Sequence, residues 1–256
     1  MTPVFSIIIP SYKSDKFIKQ CISSVLHQTF DSFEIIIIDD GSSDQTGKIC
    51  LRIAAEYPYV RYIYQEHQGA GAARNKGLRV ANGEYVLFLD ADDYWVNRDL
   101  LKELYNCFKN QNVDLVMFQM DKYTEKGRLL KRYRKKAFPD TKLCHCVHEI
   151  YPMLVRDGQV LASACNKCVK RSLLEEEYIL FPEGGYAEDI DWVIQLFSRA
   201  KYISFLNGLA YAYRQHGNST ASRSTEGPNH LAAIIQKWAE KVKQNEVPDP
   251  EVVAGL

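Results

Sequence analysis

The 256-residue chain has no surplus of charge: Lys plus Arg number 32 and Asp plus Glu number 32. Overall composition therefore gives no sign of the basic face that nucleic-acid binding requires. No segment approaches the apolar length that spans a bilayer. The opening MTPVFSIIIPSY carries no basic leader, and its apolar run is cut at Pro10, too early for a signal peptide. These absences predict a cytoplasmic location. The cysteines Cys21, Cys50, Cys107, Cys144, Cys146, Cys165 and Cys168 are odd in number and scattered over helix-like and strand-like segments. That pattern suits reduced thiols and argues against a disulfide framework. Two nucleotide signatures are missing as well. PSYKSD follows the first apolar run where a nicotinamide or flavin enzyme would place glycines, and there is no G-x-x-x-x-G-K-[ST] phosphate loop. Internal repeats and low-complexity segments are absent.

What is present is ordinary globular material, 46% apolar and 25% charged, long enough for one large α/β domain or two small ones. FSIIIP at Phe5 to Pro10 reads as a strand, and DKFIKQCISSVLHQ follows at helical spacing. FEIIIIDD, VRYIYQ, EYVLFLDADD (Glu84 to Asp93) and DLVMFQM read as four more strands. The helical segments TGKICLRIAAEY, AGAARNKGLRVA and NRDLLKELYNCFKN alternate with them. This alternation predicts an α/β fold with a doubly wound, mainly parallel sheet flanked by helices. Beyond Lys122 the pattern lapses into a basic loop, EKGRLLKRYRKKAFP. Helices are expected at HEIYPMLVRDG and AEDIDWVIQLFSRA, short strands at YISFL and LAYAYR, and a last amphipathic helix at HLAAIIQKWAEKVKQ.

Chemistry concentrates at strand ends. Ile35 to Ile38 is apolar without alternation, as in a strand covered on both faces, yet it runs into Asp39 and Asp40. In open α/β sheets that edge is where ligands bind. The alternative is that Asp40, Ser42, Ser43 and Asp44 cap the next helix. DADD, Asp90 to Asp93, closes a second apolar strand. If the strand continues through it, Asp90 and Asp92 point to one side and suit a hard divalent cation; the alternative is an acidic turn. In GAGAARNKG, Arg74 stands where a dinucleotide fingerprint has its third glycine, a cationic fork near a helix N-terminus. Glu188, Asp189 and Asp191 also suit a helix first turn.

Taken together, SIIIPSYKSDKFIKQCISSVLHQTFDSFEIIIIDDGSSDQT, GAGAARNKGL and GEYVLFLDADD, in this order and spacing, resemble the inverting family-2 nucleotide-sugar glycosyltransferases of GT-A fold. The resemblance is dense over Val4 to Asp93. Later it rests on NKCVKRSLL, AEDIDW and YAYRQHGNST. It implies a GT-A domain over 1–225, with a nucleotide-binding half at 1–93 and a metal, acceptor and catalytic half at 94–225, then a C-terminal helix and tail at 226–256.

By position, the resemblance implies that Pro10 and Tyr12 line the base pocket, that Asp40 hydrogen-bonds uracil with Asp39 beside it, and that Arg74 helps hold the nucleotide. Asp90 is the ribose-side member of the D-x-D, and Asp92 ligates Mn²⁺ or Mg²⁺. His216 reaches the diphosphate or metal, unless it is a surface histidine. Asp189 is the catalytic base, preceded by Glu188. Lys167 approaches phosphate or acceptor, or is an ordinary solvated lysine. The implied reaction moves a sugar from a UDP-sugar to a glycan or lipid-linked glycan, as in surface polysaccharide synthesis. One rival, a sugar-phosphate nucleotidyltransferase, needs a Gly-rich, Arg-containing loop that PSYKSD does not supply. The other, a non-catalytic nucleotide-sugar-binding module, does not need Asp92 and Asp189.

Two clusters fall outside this pattern. Cys144, Cys146, His148, Cys165 and Cys168 have the residue types of a zinc site, with buried thiols as the alternative. Lys126, Arg128, Lys131, Arg132, Arg134, Lys135 and Lys136, interleaved with Leu129, Leu130, Tyr133 and Phe138, form either a solvated loop or a peripheral contact with the inner face of a membrane. Trp238 and Ile235 would support that contact.

Overall fold

A computed structural model describes residues 2–132, 137–183, 188–217, 227–244, 246–247 and 250. Strands β1 (Phe5–Ser11), β2 (Phe33–Asp40), β3 (Val60–Gln65) and β4 (Tyr85–Phe88) alternate with helices α1 (Ile18–Leu26), α2 (Thr46–Glu56) and α3 (Ala70–Val80). The second half adds β5 (Tyr94–Trp95), α4 (Leu100–Asn110), β6 (Leu115–Thr124), β7 (Leu129–Arg132), β8 (His145–Cys146) and α5 (Val147–Arg156). It ends with β9 (Lys167–Lys170), α6 (Arg171–Glu176), α7 (Glu188–Arg199), β10 (Tyr202–Gln215) and α8 (Gly227–Lys243). The strands form one sheet in the order β3-β2-β1-β4-β9-β6-β10-β5, with β7 on β6 and β8 on β10.

The pairs β1–β2, β2–β3, β1–β4 and β6–β10 are parallel, as the alternation predicts. Ile7, Ile8, Ile9 and Ile35 through Ile38 are fully buried, which is why these strands carry no polar face. α3 lies unusually close to the sheet. A Cβ on its Gly77 would collide with Ile8, and one on Gly71 would meet the Pro182 carbonyl at 2.6 Å. Only glycine permits either approach.

The structure departs from the sequence reading at four places. β4 ends at Phe88, so Asp90 to Asp93 occupy a turn in which the Asp93 amide donates to the Asp90 carbonyl at 3.0 Å. Asp90 and Asp92 therefore do not share a strand face. β9 runs antiparallel to both β4 and β6, interrupting the parallel sheet with the NKCV segment. The two short strands expected near the C-terminus are one strand, β10, which continues through register shifts between Leu206 and Tyr211. Part of the expected basic loop is β7, paired with β6 and exposed along its length.

Two residues assigned to a membrane contact are buried instead. Phe138 stacks on Phe205 with ring centroids 4.8 Å apart. Trp238 of α8 packs with Ile194 and Val247, and its indole donates to Asp191 at 2.8 Å. Arg134, Lys135, Lys136 and Tyr133 lie outside the described residues. Among the described residues no helix is long and apolar enough to cross a membrane. All seven cysteines are free, and Cys165 and Cys168 are buried. Cys146 is half-buried and Cys144 exposed, and no group of three or more His, Cys, Asp or Glu among the described residues is placed to hold a metal.

Candidate active site

The C-terminal edge of β2 builds the first wall. Asp39 accepts the Ser42 amide at 2.9 Å and the Tyr62 hydroxyl at 2.7 Å. Asp40 accepts Gln65 Nε2 at 2.7 Å, the Gln68 amide at 2.8 Å and the Gly69 amide at 2.9 Å, and it pairs with His67 Nδ1 at 2.8 Å. A carboxylate offers about four acceptor directions. Gln65, Gln68 and Gly69 take three of them, while the hydrogen bond of His67 Nδ1 goes to the Asp40 carbonyl at 3.1 Å, so Asp40 first of all shapes the loop between β3 and α3. The remaining direction faces the His67 side chain, 56% exposed, which would turn aside for a uracil contact through Asp40. The rings of His67 and Tyr12 stack with centroids 4.2 Å apart, and Lys13 Nζ lies 4.9 Å from the Tyr12 ring centre. Pro10 is buried in β1, opposite Ile38 of β2.

The turn after β4 builds the second wall. Asp92 Oδ2 lies 2.8 Å from His216 Nε2, and the His216 ring packs against Phe17 at 4.8 Å. Asp93 is fully buried and accepts the Tyr211 hydroxyl at 2.6 Å and the Arg214 amide at 2.7 Å. Arg214 in turn donates through Nε to the Asp92 carbonyl at 2.6 Å and through Nη2 to Gln20 at 2.8 Å. Strand β10 thus fixes the turn from below and delivers His216 to its tip. Burial, then the neighbouring Asp90, pushes the Asp92 carboxyl above its usual range, and the His216 hydrogen bond opposes this. A carboxylate and an imidazole crowded by like charge fit a hard divalent cation, whose remaining positions would be filled by other oxygens.

The third wall joins the two halves of the chain. Arg74, 4% exposed, sends Nη2 to Asp90 at 2.8 Å and Nη1 to Glu188 at 3.1 Å and Asp189 at 3.2 Å. Its fork faces three carboxylates and is not open. Beside it, Asn75 donates to the Phe181 carbonyl at 2.8 Å and accepts the Phe181 amide at 2.9 Å, pinning the segment that precedes α7. Burial raises the Asp189 carboxyl to about 6. Arg74 opposes that shift, Asp90 and Glu188 add to it, and a hydrogen bond from the Ala164 amide, 3.3 Å from Oδ2, again opposes it. A carboxylate poised there can accept a proton near neutral pH.

Lys167 is not where either sequence reading puts it. It is fully buried, and its Nζ donates to the carbonyls of Leu161 at 2.9 Å and Ser163 at 2.6 Å and to Asn166 Oδ1 at 2.8 Å. Three acceptors saturate an ammonium, which leaves it no donor for phosphate or acceptor. The residues missed in the sequence are His67, Asn75, Tyr211 and Arg214. Arg214 alone left a signal, a charged residue inside an apolar strand just before His216.

A mixed sheet with acidic turns after β2 and β4, and a buried arginine that ties the second of them to the start of α7, is the arrangement of a GT-A fold. The family model "Glycosyl transferase family 2" matches residues 6–178, and the chain belongs to that family. It is 29% identical over 246 residues to the putative glycosyltransferase EpsH of Bacillus subtilis (strain 168), covering 94% of this chain and 65% of EpsH. It is 30% identical to the glycosyltransferase GlyG of Streptococcus pneumoniae serotype 4, covering 100% of this chain and 83% of GlyG. The solved structure of S. aureus TarS in complex with UDP-GlcNAc superposes with a TM-score of 0.74 at 26% identity, over 91% of this chain and 66% of that one. The chain thus spans about two thirds of the length of EpsH and of that TarS structure.

Proposed function

We propose that this chain transfers a sugar from a UDP-sugar, with inversion, to a hydroxyl of a glycan or lipid-linked glycan in surface polysaccharide synthesis. The observation that carries the reading is the convergence of Asp90 and Asp189 on the single buried guanidinium of Arg74. A carboxyl held near 6 beside the turn assigned to the donor supports the reading of Asp189 as base. A nucleotidyltransferase has no comparable use for such a base. In the proposed reaction an acceptor hydroxyl attacks the anomeric carbon, its proton passes to Asp189, and the bond to UDP breaks on the opposite face.

Tyr12 and His67 would flank the base, with Asp40 and Asp39 holding the loops around it, and Asp90 would face the ribose. Asp92 and His216 would hold Mn²⁺ or Mg²⁺, which when bound offsets negative charge on the departing diphosphate. TarS was solved with UDP-GlcNAc, which makes that sugar nucleotide the first donor to try. The exposed β7 residues Leu129, Leu130, Lys131 and Arg132 would give a peripheral contact with an anionic membrane surface.

The test is UDP release from a panel of UDP-sugars with Mn²⁺, with Mg²⁺ and with chelator, alongside a search for acceptors. Metal-stimulated release and a product of inverted anomeric configuration are expected. Release that is indifferent to chelator would remove the metal from the account, and a retained configuration would remove the single displacement.

A further inference from the structure

Taking Asp189 as the base, we infer that Lys167 is a positioning residue that acts through the backbone of residues 161–166 to hold the Ala164 amide against the Asp189 carboxylate. A buried lysine is costly, and this one is fully inside the protein. Burial brings its ammonium down to about 7, while the charge of Asp189 pushes it back up. Its hydrogen bonds account for its being kept there. All three acceptors belong to the stretch just ahead of β9, and two of them, the Leu161 and Ser163 carbonyls, have no place in a helix or strand.

That stretch ends in a single tight turn over Ala164–Asn166. Ser163 caps it by accepting the Cys165 amide at 3.1 Å, and Asn166 ties it to β6 through the Phe118 carbonyl at 3.3 Å. The first amide of the turn, that of Ala164, points at Asp189 Oδ2. The path therefore runs from Lys167 Nζ to the Ser163 carbonyl, through one peptide unit to the Ala164 N–H, and on to the carboxylate. Arg74, Asp90 and Glu188 also face Asp189, with Cys165 close by. None of them is altered by changing the lysine or the amide, but Lys167→Met also removes a positive charge that acts on Asp189 directly, so in that variant the Ala164 amide proton shift is read beside the carboxylate, and an unmoved amide overturns the inference.

Two variants separate positioning from mere stability. Lys167→Met keeps the length of the side chain and removes its donors. Ala164→Pro removes the one amide and leaves Lys167 in place. Ser163 has φ −146° and ψ 135°, the conformation favoured ahead of a proline, and the first position of a helical turn tolerates one. The readout is the titration of [13Cγ]aspartate signals by NMR in the unliganded protein, with the Asp189 signal assigned by its loss in Asp189→Asn. A carboxylate that loses a donated hydrogen bond titrates higher. Both variants should therefore move Asp189 upward, by about half a unit or more, with the acid limb of UDP release from UDP-GlcNAc moving the same way.

An unmoved Asp189 in either variant overturns the inference. A melting temperature lowered in Lys167→Met without a change in the titration would show a purely structural lysine and overturn it equally. If Asp189→Asn turns over donor at the wild-type rate, the reading of Asp189 as base fails instead, a result the NMR titration does not depend on.

Discussion

At the scale of single residues, the site depends on a few groups that each do one separable thing. Asp189→Asn keeps the shape of the side chain but cannot take a proton. Its UDP affinity should match wild type while transfer falls by a factor on the order of a hundred or more. Because burial holds the Asp189 carboxyl near 6, above its ordinary value, the proposed base is protonated below that pH. Activity should rise with pH through about 6 and then level, which a pH profile of kcat reads directly. A profile already flat from pH 5 would contradict the assignment.

On the donor side, Asp40→Ala should weaken UDP binding with or without Mn²⁺, since it releases the loop that carries Gln68 and Gly69. Asp92→Ala should remove chiefly the metal-dependent part. Calorimetry with UDP in both conditions distinguishes them, and equal UDP affinity in wild type and both variants would sink the two roles together. Arg74→Ala leaves Asp90, Glu188 and Asp189 facing one another without their cation, and should cost at least about 2 kcal/mol of stability in chemical denaturation.

At the scale of elements, the parts legible in the sequence were those whose signal is local. The uninterrupted isoleucines of β2 state burial on both faces, and the alternation of β1 to α3 states a parallel sheet. The antiparallel insertion of β9 could not be read, because four residues of KCVK carry no mark of their neighbours' direction. Nor could the turn at Asp90, since an apolar run does not say at which residue pairing stops.

Lys167 read as a phosphate or acceptor contact, or as a solvated lysine, because two of its partners are carbonyls four and six residues earlier, invisible in a pattern of side chains. Trp238 looked available because its partner lies 47 residues earlier in the chain. It is held by Asp191 on α7, which also accepts Lys237 Nζ at 2.7 Å. Trp238→Ala should therefore loosen α8 and cost about 3 to 5 kcal/mol in equilibrium unfolding. A loss below 1 kcal/mol would show that α8 contributes little to the fold. β7 carries the membrane proposal. Lys131→Ala with Arg132→Ala should reduce co-sedimentation with anionic vesicles at low salt, and wild type that ignores such vesicles would return β7 to the role of an exposed hairpin arm.

At the scale of the whole molecule, the two halves of the chain share one sheet, through β4 and β9, and one apolar core, and a small set of buried polar ties crosses the seam between them where the site lies. The first half supplies the loops around Asp39 and Asp40 and the guanidinium of Arg74. The second supplies Asp189 from α7 and His216 from the end of β10, while Arg214 returns to α1 and to the turn of Asp92. Sequence separation is large at each tie, 114 residues between Arg74 and Glu188 and 124 between His216 and Asp92. This is why motifs could suggest which residues act but not which of them touch.

The central claim is that this seam is catalytic and that Asp189 is its base. It is tested most directly by the rate of UDP release from UDP-sugars in the presence of Mn²⁺, measured for wild type and for Asp189→Asn at equal UDP occupancy. The account predicts release by the wild type from at least one UDP-sugar and a loss of about a hundredfold or more in the variant. Equal rates in the two proteins, or no release from any UDP-sugar by the wild type, would contradict it.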